Sequence, residues 1–378
     1  MKCPLCDNLT ILTLLASDNV PFMNSISILK NFRVEVCSNC SYIFQSTAYS
    51  KEYAREIQKV YENYDMSTVF DFPRQDRTTI DSLSFVSGFI TNQYNNVLEI
   101  GSNRGDFLYL LKQKNPQISI LGIEPTKFEN LQVPTLRMNF QANLFSSKFD
   151  IIIIRHVFEH ICHPKEFVKT LKENLTDDGF VYVEVPNIEN CLASLTEDFA
   201  PDHVSYFSQN TLYRAFNEEF TCISIENSTF LRAIFKLRRK ELSSIEYKDL
   251  EVNWIQSRTQ LMNENKKKAI YQLIQYSNNS NVIFYGVSYY FYYLLECLKK
   301  ESINLSNCYF FDDNYLHEKE ERYGLKRLEN FANSLVVTCS DVPYVQNLIL
   351  NKVLEKEFEC VLLPWRGSFS KEEAKELV

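Results

Sequence analysis

From Asn96 to Asn187 short apolar runs alternate with amphipathic stretches, and this grammar narrows the fold more than any other feature of the chain. The apolar runs are "NVLEIG", "ISILGIEP", "TLRMNF", "FDIIIIRHV" and "GFVYVEVPN". Between them, "FLYLLKQKN" and "PKEFVKTLKENL" carry helical spacing. Strands that are apolar on both faces and alternate with helices predict a parallel sheet covered on each side, an α/β architecture. "FTCISIENSTFLRAIFKLRRK" then offers two longer strands, read as a closing hairpin. Upstream, "KEYAREIQKVYENY" places Tyr53, Ile57, Val60, Tyr61 and Tyr64 at helical spacing. Downstream, "VNWIQSRTQLMNENKKKAIYQLIQY" reads as a helix with a solvated face. The alternation starts again at "NVIFYGVS" and runs through "CYFFDDN", "SLVVTCSDV" and "FECVLLPW", a second and smaller α/β unit. The expected division is an N-terminal module at 1–50, a helical connector at 51–90, a core at 91–243, a helical linker at 244–277 and a C-terminal α/β domain at 278–378.

A chain of 378 residues is too long for one ordinary core and suits two or three domains. Its formal charge of −8 argues against nucleic-acid binding, which needs a basic face. No apolar run approaches the ~20 residues of a membrane span. The opening "MKCPLCDN" has no apolar signal core, so a cytoplasmic protein is expected.

Of eleven cysteines, seven are scattered singly, as fits a reducing compartment. The other four form two pairs, Cys3-Pro4-Leu5-Cys6 and Cys37-Ser38-Asn39-Cys40. Two thiolates separated by two residues at a tight turn face one ion, and two such knuckles complete a tetrahedral zinc site. A site of four thiolates is closed to substrate. The expected Zn2+ is therefore structural, and the long gap between the pairs demands an excursion of strands.

The chain has only eight glycines, yet two fall in "VLEIGSNRG". Gly101 lets the chain turn sharply out of the first strand, and Gly105 is expected to let a ligand approach the next helix. A dinucleotide fingerprint needs G-x-G-x-x-G, and Glu99-Ile-Gly101-Ser-Asn103-Arg-Gly105 is not that. It resembles the first motif of class I S-adenosylmethionine (SAM)-dependent methyltransferases. Glu124 in "LGIEP", 23 residues past Gly101, supplies the acid expected at the end of the second strand to hold ribose hydroxyls. "KFDIIIIRHVFEHICHPKEFVKTLKENLTDDGFVYVEVPN" continues the resemblance through the fourth and fifth strands.

That resemblance implies a Rossmann-like core with Glu99, Gly101, Asn103 and Gly105 about the methionine end of SAM, and Glu124 and Pro125 at the ribose. It implies the loop from Asn139 to Ala142 facing adenine, and Arg155 and His156 beside the sulfonium. Glu159 and His160 would shape the loop over the cofactor. "HVFEH" lacks the adjacent acid of an H-E-x-x-H zinc motif, so no catalytic metal is expected there. "FAPDHVSYFSQNTLYRAF" resembles the segment after the fifth strand in three-domain sugar C-methyltransferases, which share this order of zinc module, SAM domain and C-terminal α/β domain. Onto that motif map Asp202, His203, Tyr206, Phe207 and Ser208, with His203 implied as base and Asp202 and Tyr206 as its catalytic neighbours. Three departures are visible: Asp202 stands in place of the family's glutamate, Ala200 replaces a family tyrosine, and Tyr289 and Tyr290 fill a turn after Gly286 that is small in the family. The implied activity is methylation of a sugar, in nucleotide-linked form, at carbon or oxygen. The alternative is an inactive relative serving as a binding or scaffold subunit.

Overall fold

The computed structural model describes residues 1–22, 27–56, 77–128, 130–142, 144–195, 199–239, 248–286 and, between 291 and 377, all but 292–293, 296–297, 300–301, 303–304, 312–324, 340–342 and 364–366. The chain divides into two compact units. The first comprises Met1–Thr13, Arg33–Asn190 and Asp202–Val252; the second comprises Leu14–Phe32, Cys191–Pro201 and Asn253–Val378.

The N-terminal segment contributes strands β1 (Ile11–Phe22), β2 (Ser27–Cys37) and β3 (Ile43–Gln45). Residues 51–56 are helical, 57–76 lie outside the described residues, and helix α1 spans Arg77–Ser87. Then comes the predicted alternation: β4 (Asn96–Ile100), α2 (Asp106–Lys114), β5 (Ser119–Ile123), β6 (Thr135–Leu136), β7 (Phe149–Arg155), α3 (Pro164–Asn174), β8 (Leu175–Pro186) and α4 (Ile188–Ser194). The short β9 (Ser205–Tyr206), α5 (Gln209–Phe216), β10 (Phe220–Asn227) and β11 (Phe230–Leu237) complete the first unit's elements.

Seven of these strands form one sheet in the order β10-β11-β8-β7-β4-β5-β6. Strands β4 to β8 pair in parallel, while β11 runs antiparallel to both β8 and β10, as the predicted hairpin requires. The apolar runs are explained by position: Ile151 to Ile154 of the central β7 are fully buried, with helices needed on both faces. Ile100 pairs with Ile123 on one side and Ile154 on the other, so the carboxyl ends of β4, β5 and β7 finish abreast. The strand order reverses between β4 and β7, and the crevice outside the strand ends at such a point is where doubly wound sheets take ligands.

The cysteine-bearing strands build a separate four-stranded sheet, β1-β2-β3-β9, whose last member comes from beyond β8. Ile43 and Phe44 pair with Tyr206 and Ser205, and the Gln45 N–H donates to the Val204 carbonyl (2.8 Å). This N-terminal sheet thus grips the segment that follows His203.

The second unit holds most of helix α6 (Val252–Asn279) and a six-stranded sheet. Its strands are β12 (Asn281–Tyr285), β13 (Cys308–Phe311), β14 (Lys326–Arg327), β15 (Ser334–Thr338), β16 (Cys360–Leu363) and β17 (Gly367–Ser370). They lie in the order β14-β13-β12-β15-β16-β17, parallel except for β17. The turn filled by Tyr289 and Tyr290 lies outside the described residues. No described helix is long and apolar enough to cross a membrane.

Candidate active site

The first functional side chains sit where β4 and β5 end. Gly101 and Gly105 adopt φ of +72° and +89°, a region that glycine enters without steric cost. A Cβ on Gly101 would lie 2.2 Å from the Val157 side chain, and one on Gly105 would lie 2.3 Å from that of Val133. Gly105 therefore serves the turn and close packing against Val133; the space beside it is not left for a ligand. Between the glycines, Asn103 also takes a positive φ and its N–H donates to Glu124 Oε2 (3.0 Å). The Thr126 N–H, two residues past the acid and across Pro125, donates to the other oxygen (2.8 Å). Two backbone donors hold the buried Glu124 carboxylate in one orientation, and its remaining lone pairs can still accept two hydroxyls.

Glu99, one residue before the end of β4, is 2% exposed, and its Oε2 has no hydrogen-bond partner among the described residues. Burial pushes its carboxyl up to about 8 although the Arg155 cation opposes the shift. The Ser102 hydroxyl is buried and orphaned in the same way. Buried polar atoms without partners are rare in native proteins and ask for an explanation.

Beyond β7 the side chains converge on an acid that the sequence reading passed over. Glu184 is fully buried in β8 and accepts hydrogen bonds from Ser82, Tyr182 (2.7 Å), Arg155 (3.1 Å) and Arg232 (3.0 Å). His156 Nε2 lies 3.1 Å from the same carboxylate, and its Nδ1 lies 3.4 Å from Glu159. Burial alone would lower the imidazole, but the two carboxylates overcome it and raise His156 to about 9. With a carboxylate at each nitrogen the ring is an imidazolium at neutral pH, packed edge-on against Phe230 at 4.7 Å. Arg155 also stacks on Phe107 (4.1 Å), which fixes the guanidinium plane. The signal for Glu184 was present as a lone acid in the doubly buried strand "VYVEVP".

The histidines form the next cluster. Ligand atoms of Glu159, His160 and His203 all lie within 4.8 Å of one another. The short turn Phe158–His160 is anchored by Phe158, which stacks on Phe207 at 4.9 Å, and by the Glu159 carbonyl, which accepts the Val204 N–H (2.8 Å). His160 Nδ1 lies 2.8 Å from the Asp202 carbonyl, which only accepts, so Nδ1 carries the proton and Nε2 keeps the lone pair of the neutral ring. The His160 and His203 rings meet edge to face at 5.1 Å, with Tyr206 6.2 Å from His203 on its other contact. Burial lowers His203, outweighing the Asp202 charge that raises it. Of the other residues mapped in this motif, Phe207 is core and Ser208 caps α5, its side chain accepting from the Thr211 N–H. The expected adenine loop follows β6, and there Phe140 packs on Phe167 at 5.8 Å.

A family model described as a methyltransferase domain matches residues 72–223, less than half of the chain. The chain carries a SAM-dependent methyltransferase domain. Solved structures similar to it include the 1,6-didemethyltoxoflavin-N1-methyltransferase of Burkholderia thailandensis, crystallised with S-adenosylhomocysteine, at 10% identity and a TM-score of 0.40 over 53% of this chain and 97% of that one. Another is the N-methyltransferase NodS of Bradyrhizobium japonicum WM9, at 12% identity and a TM-score of 0.33 over 43% and 99%. A third is a protein of Pyrococcus horikoshii OT3, at 15% identity and a TM-score of 0.38 over 50% and 100%. Scores this low carry no argument about this chain. No curated protein matches it.

The methyltransferase domain's residues fit the cofactor of its family. SAM brings an ammonium and two ribose hydroxyls; an orphaned buried carboxylate oxygen at Glu99 suits the first, and the pinned Glu124 suits the second.

The four cysteines belong to the same unit and form two copies of one turn. In each, the N–H after the second cysteine (Asp7, Ser41) returns to the carbonyl of the first (Cys3, Cys37) at 3.0 Å, and that residue takes a positive φ. All four sulfurs lie within 4.8 Å, with Cys3 to Cys40 at 3.7 Å and Cys6 to Cys37 at 3.5 Å. A tetrahedral zinc with bonds of about 2.3 Å needs edges of about 3.8 Å, so the donor set fits that ion.

Proposed function

We propose that this methyltransferase acts on a sugar in nucleotide-linked form, at carbon or oxygen, with His203 as the general base. The observation that carries the reading is the meeting of the His160 and His203 rings beside Glu159, in the segment that follows β8. Glu99, Gly101, Asn103 and Gly105 would hold the methionine end of the cofactor, Glu124 and Pro125 the ribose, and Arg155 and His156 would border the sulfonium. Zn2+ would occupy Cys3, Cys6, Cys37 and Cys40 as a structural ion, within the domain division read from the sequence.

Bound SAM supplies an electrophilic methyl group that departs from a good leaving group. The protein must then align the acceptor and remove one proton. Burial keeps the His203 ring neutral, the form a base needs. The ionised neighbours Arg155, Arg232 and His156 are balanced against Glu184, Glu159 and Glu226, so this wall presents little net repulsion to a sulfonium. Tyr206 would offer an O–H to a hydroxyl or keto oxygen, and the carbonyl-tethered His160 an Nε2 lone pair to a hydroxyl.

The test is a screen of nucleotide-activated keto- and hydroxy-sugars with SAM, reading product mass and methyl position. Methylation of none of them, by protein that binds SAM, would reject the sugar reading. Turnover unchanged in His203→Ala would reject the base.

A further inference from the structure

Glu159 is the one member of the histidine cluster that the mechanism leaves idle. It is 1% exposed, and neither carboxylate oxygen makes a well-aligned hydrogen bond among the described residues. His156 Nδ1 faces it at 3.4 Å. His160 and His203 each bring a ring nitrogen within 4.8 Å of it. The local fold does not require the charge: the Phe158–Phe207 stack and the Glu159 carbonyl bonded to Val204 already fix this turn. Burying a carboxylate costs several kcal/mol unless something returns the interaction. Here the carboxyl nevertheless stays below its ordinary range, because the hydrogen bond and charge of the His156 imidazolium oppose burial, with His160 and His203 adding to this when they are protonated.

We propose that Glu159 is the positioning residue of the acceptor site, orienting the His160 and His203 imidazoles and carrying the counter-charge when His203 takes up the acceptor's proton. This rests on the reading of His203 as base. In that step the acceptor's O–H or C–H bond leaves its electron pair on the acceptor, and the proton goes to the imidazole lone pair. The imidazolium so formed sits against a carboxylate already desolvated and aimed at it, so no group has to reorganise. His156, held charged by Glu184 as well as Glu159, keeps the carboxylate from swinging away. Asp202, next in sequence, adds charge to His203 but offers His160 only its carbonyl.

The chain has five histidines, which makes each traceable by nitrogen-15 labelling. The experiment titrates them by NMR in full-length, zinc-loaded protein with S-adenosylhomocysteine added, wild type against Glu159→Gln. Removing one facing charge should lower the His160 and His203 pKa values by about one unit, and shift that of His163 less. Unmoved His160 and His203, in a folded variant, would overturn the proposal, and a merely structural role would show that outcome together with a lower Tm. Should the glutamine variant fail to fold, Glu159→Asp must shift the same two histidines by drawing the carboxylate back one methylene. A second, non-thiolate transition ion retained by the wild type and lost in Glu159→Gln would also overturn it, since the trio would then be a metal site. Failure of the base reading is separate: it would appear as normal turnover in His203→Ala whatever the titration shows.

Discussion

Among the described residues are two tight clusters of potential ligands, and they were built by opposite means. Cys3, Cys6, Cys37 and Cys40 come from two copies of one local turn, each dictated by four or five consecutive residues. Glu159, His160 and His203 come from two unlike segments joined by the Val204 N–H and the Asp202 carbonyl. The first set is buried, all sulfur and closed, which suits an ion that holds structure. The second mixes a buried carboxylate with half-buried imidazoles and leaves positions open, which suits exchange of protons with a substrate. Similar compactness therefore says little about role; the donor chemistry and the openness decide it.

The contrast breaks most visibly at Cys37→Ser. Small zinc modules draw their folding energy from the ion, so the variant should lose its zinc and much of its solubility. Metal analysis giving one zinc per wild-type chain and none in the variant is the expected result; none in carefully purified wild type would remove the closed site. Because β3 holds the Val204 segment, SAM-independent order around His203 should fall with it.

At the open cluster the effect should be chemical. His203→Ala is expected to lose ~10²–10⁴-fold in turnover, the range for a general base, with SAM affinity within about twofold and Tm unchanged. A Tm loss as large as that of Cys37→Ser would make His203 a structural residue instead.

The candidate cofactor cradle lies where β4 and β5 end. Glu124→Ala should weaken SAM by roughly 1.5–3 kcal/mol, as for hydrogen bonds to a charged group. Calorimetry showing equal affinity in a folded variant would move the ribose elsewhere. Glu99 gives a smaller but diagnostic signal. With its carboxyl raised to about 8 by burial, it is mostly protonated at pH 7, and pairing with an ammonium should expel that proton. Calorimetry in buffers of different ionisation enthalpy should find release approaching about one proton at pH 7, shrinking above pH 8 and absent in Glu99→Gln. No release in wild type would exclude this contact.

The smallest effect concerns His156. Its folded pKa lies above the ordinary value, so its contribution to stability is present in full below about pH 6.5. That contribution is lost as pH rises through about 9, where the imidazolium between Glu159 and Glu184 deprotonates. The ring is 40% exposed, so solvent screening should hold the change below about 1 kcal/mol. Denaturation against pH should show this limb in wild type and lose it in His156→Gln.

The parts that sequence alone determined are those in which a few neighbouring residues suffice. The CxxC pairs set their own turns, and four consecutive isoleucines can only be a strand buried on both faces. The hairpin of β10 and β11 and the acid–glycine turn after β4 were legible for the same reason. Tertiary structure decided what depends on partners far along the chain. Gly105 turned out to accommodate Val133, a residue 28 positions away, and Ser208 proved to be a helix cap. Glu184 gathers Ser82, Arg155, His156 and Arg232 from three separate stretches of chain, and no local pattern announces which cations will reach a buried acid. Glu159 and His203 are 44 residues apart, and they meet because β9 is tied to the N-terminal sheet while Val204 is tied to the turn after β7. Such a meeting rests on long-range hydrogen bonds and packing, whose energy depends on the whole sheet being in register.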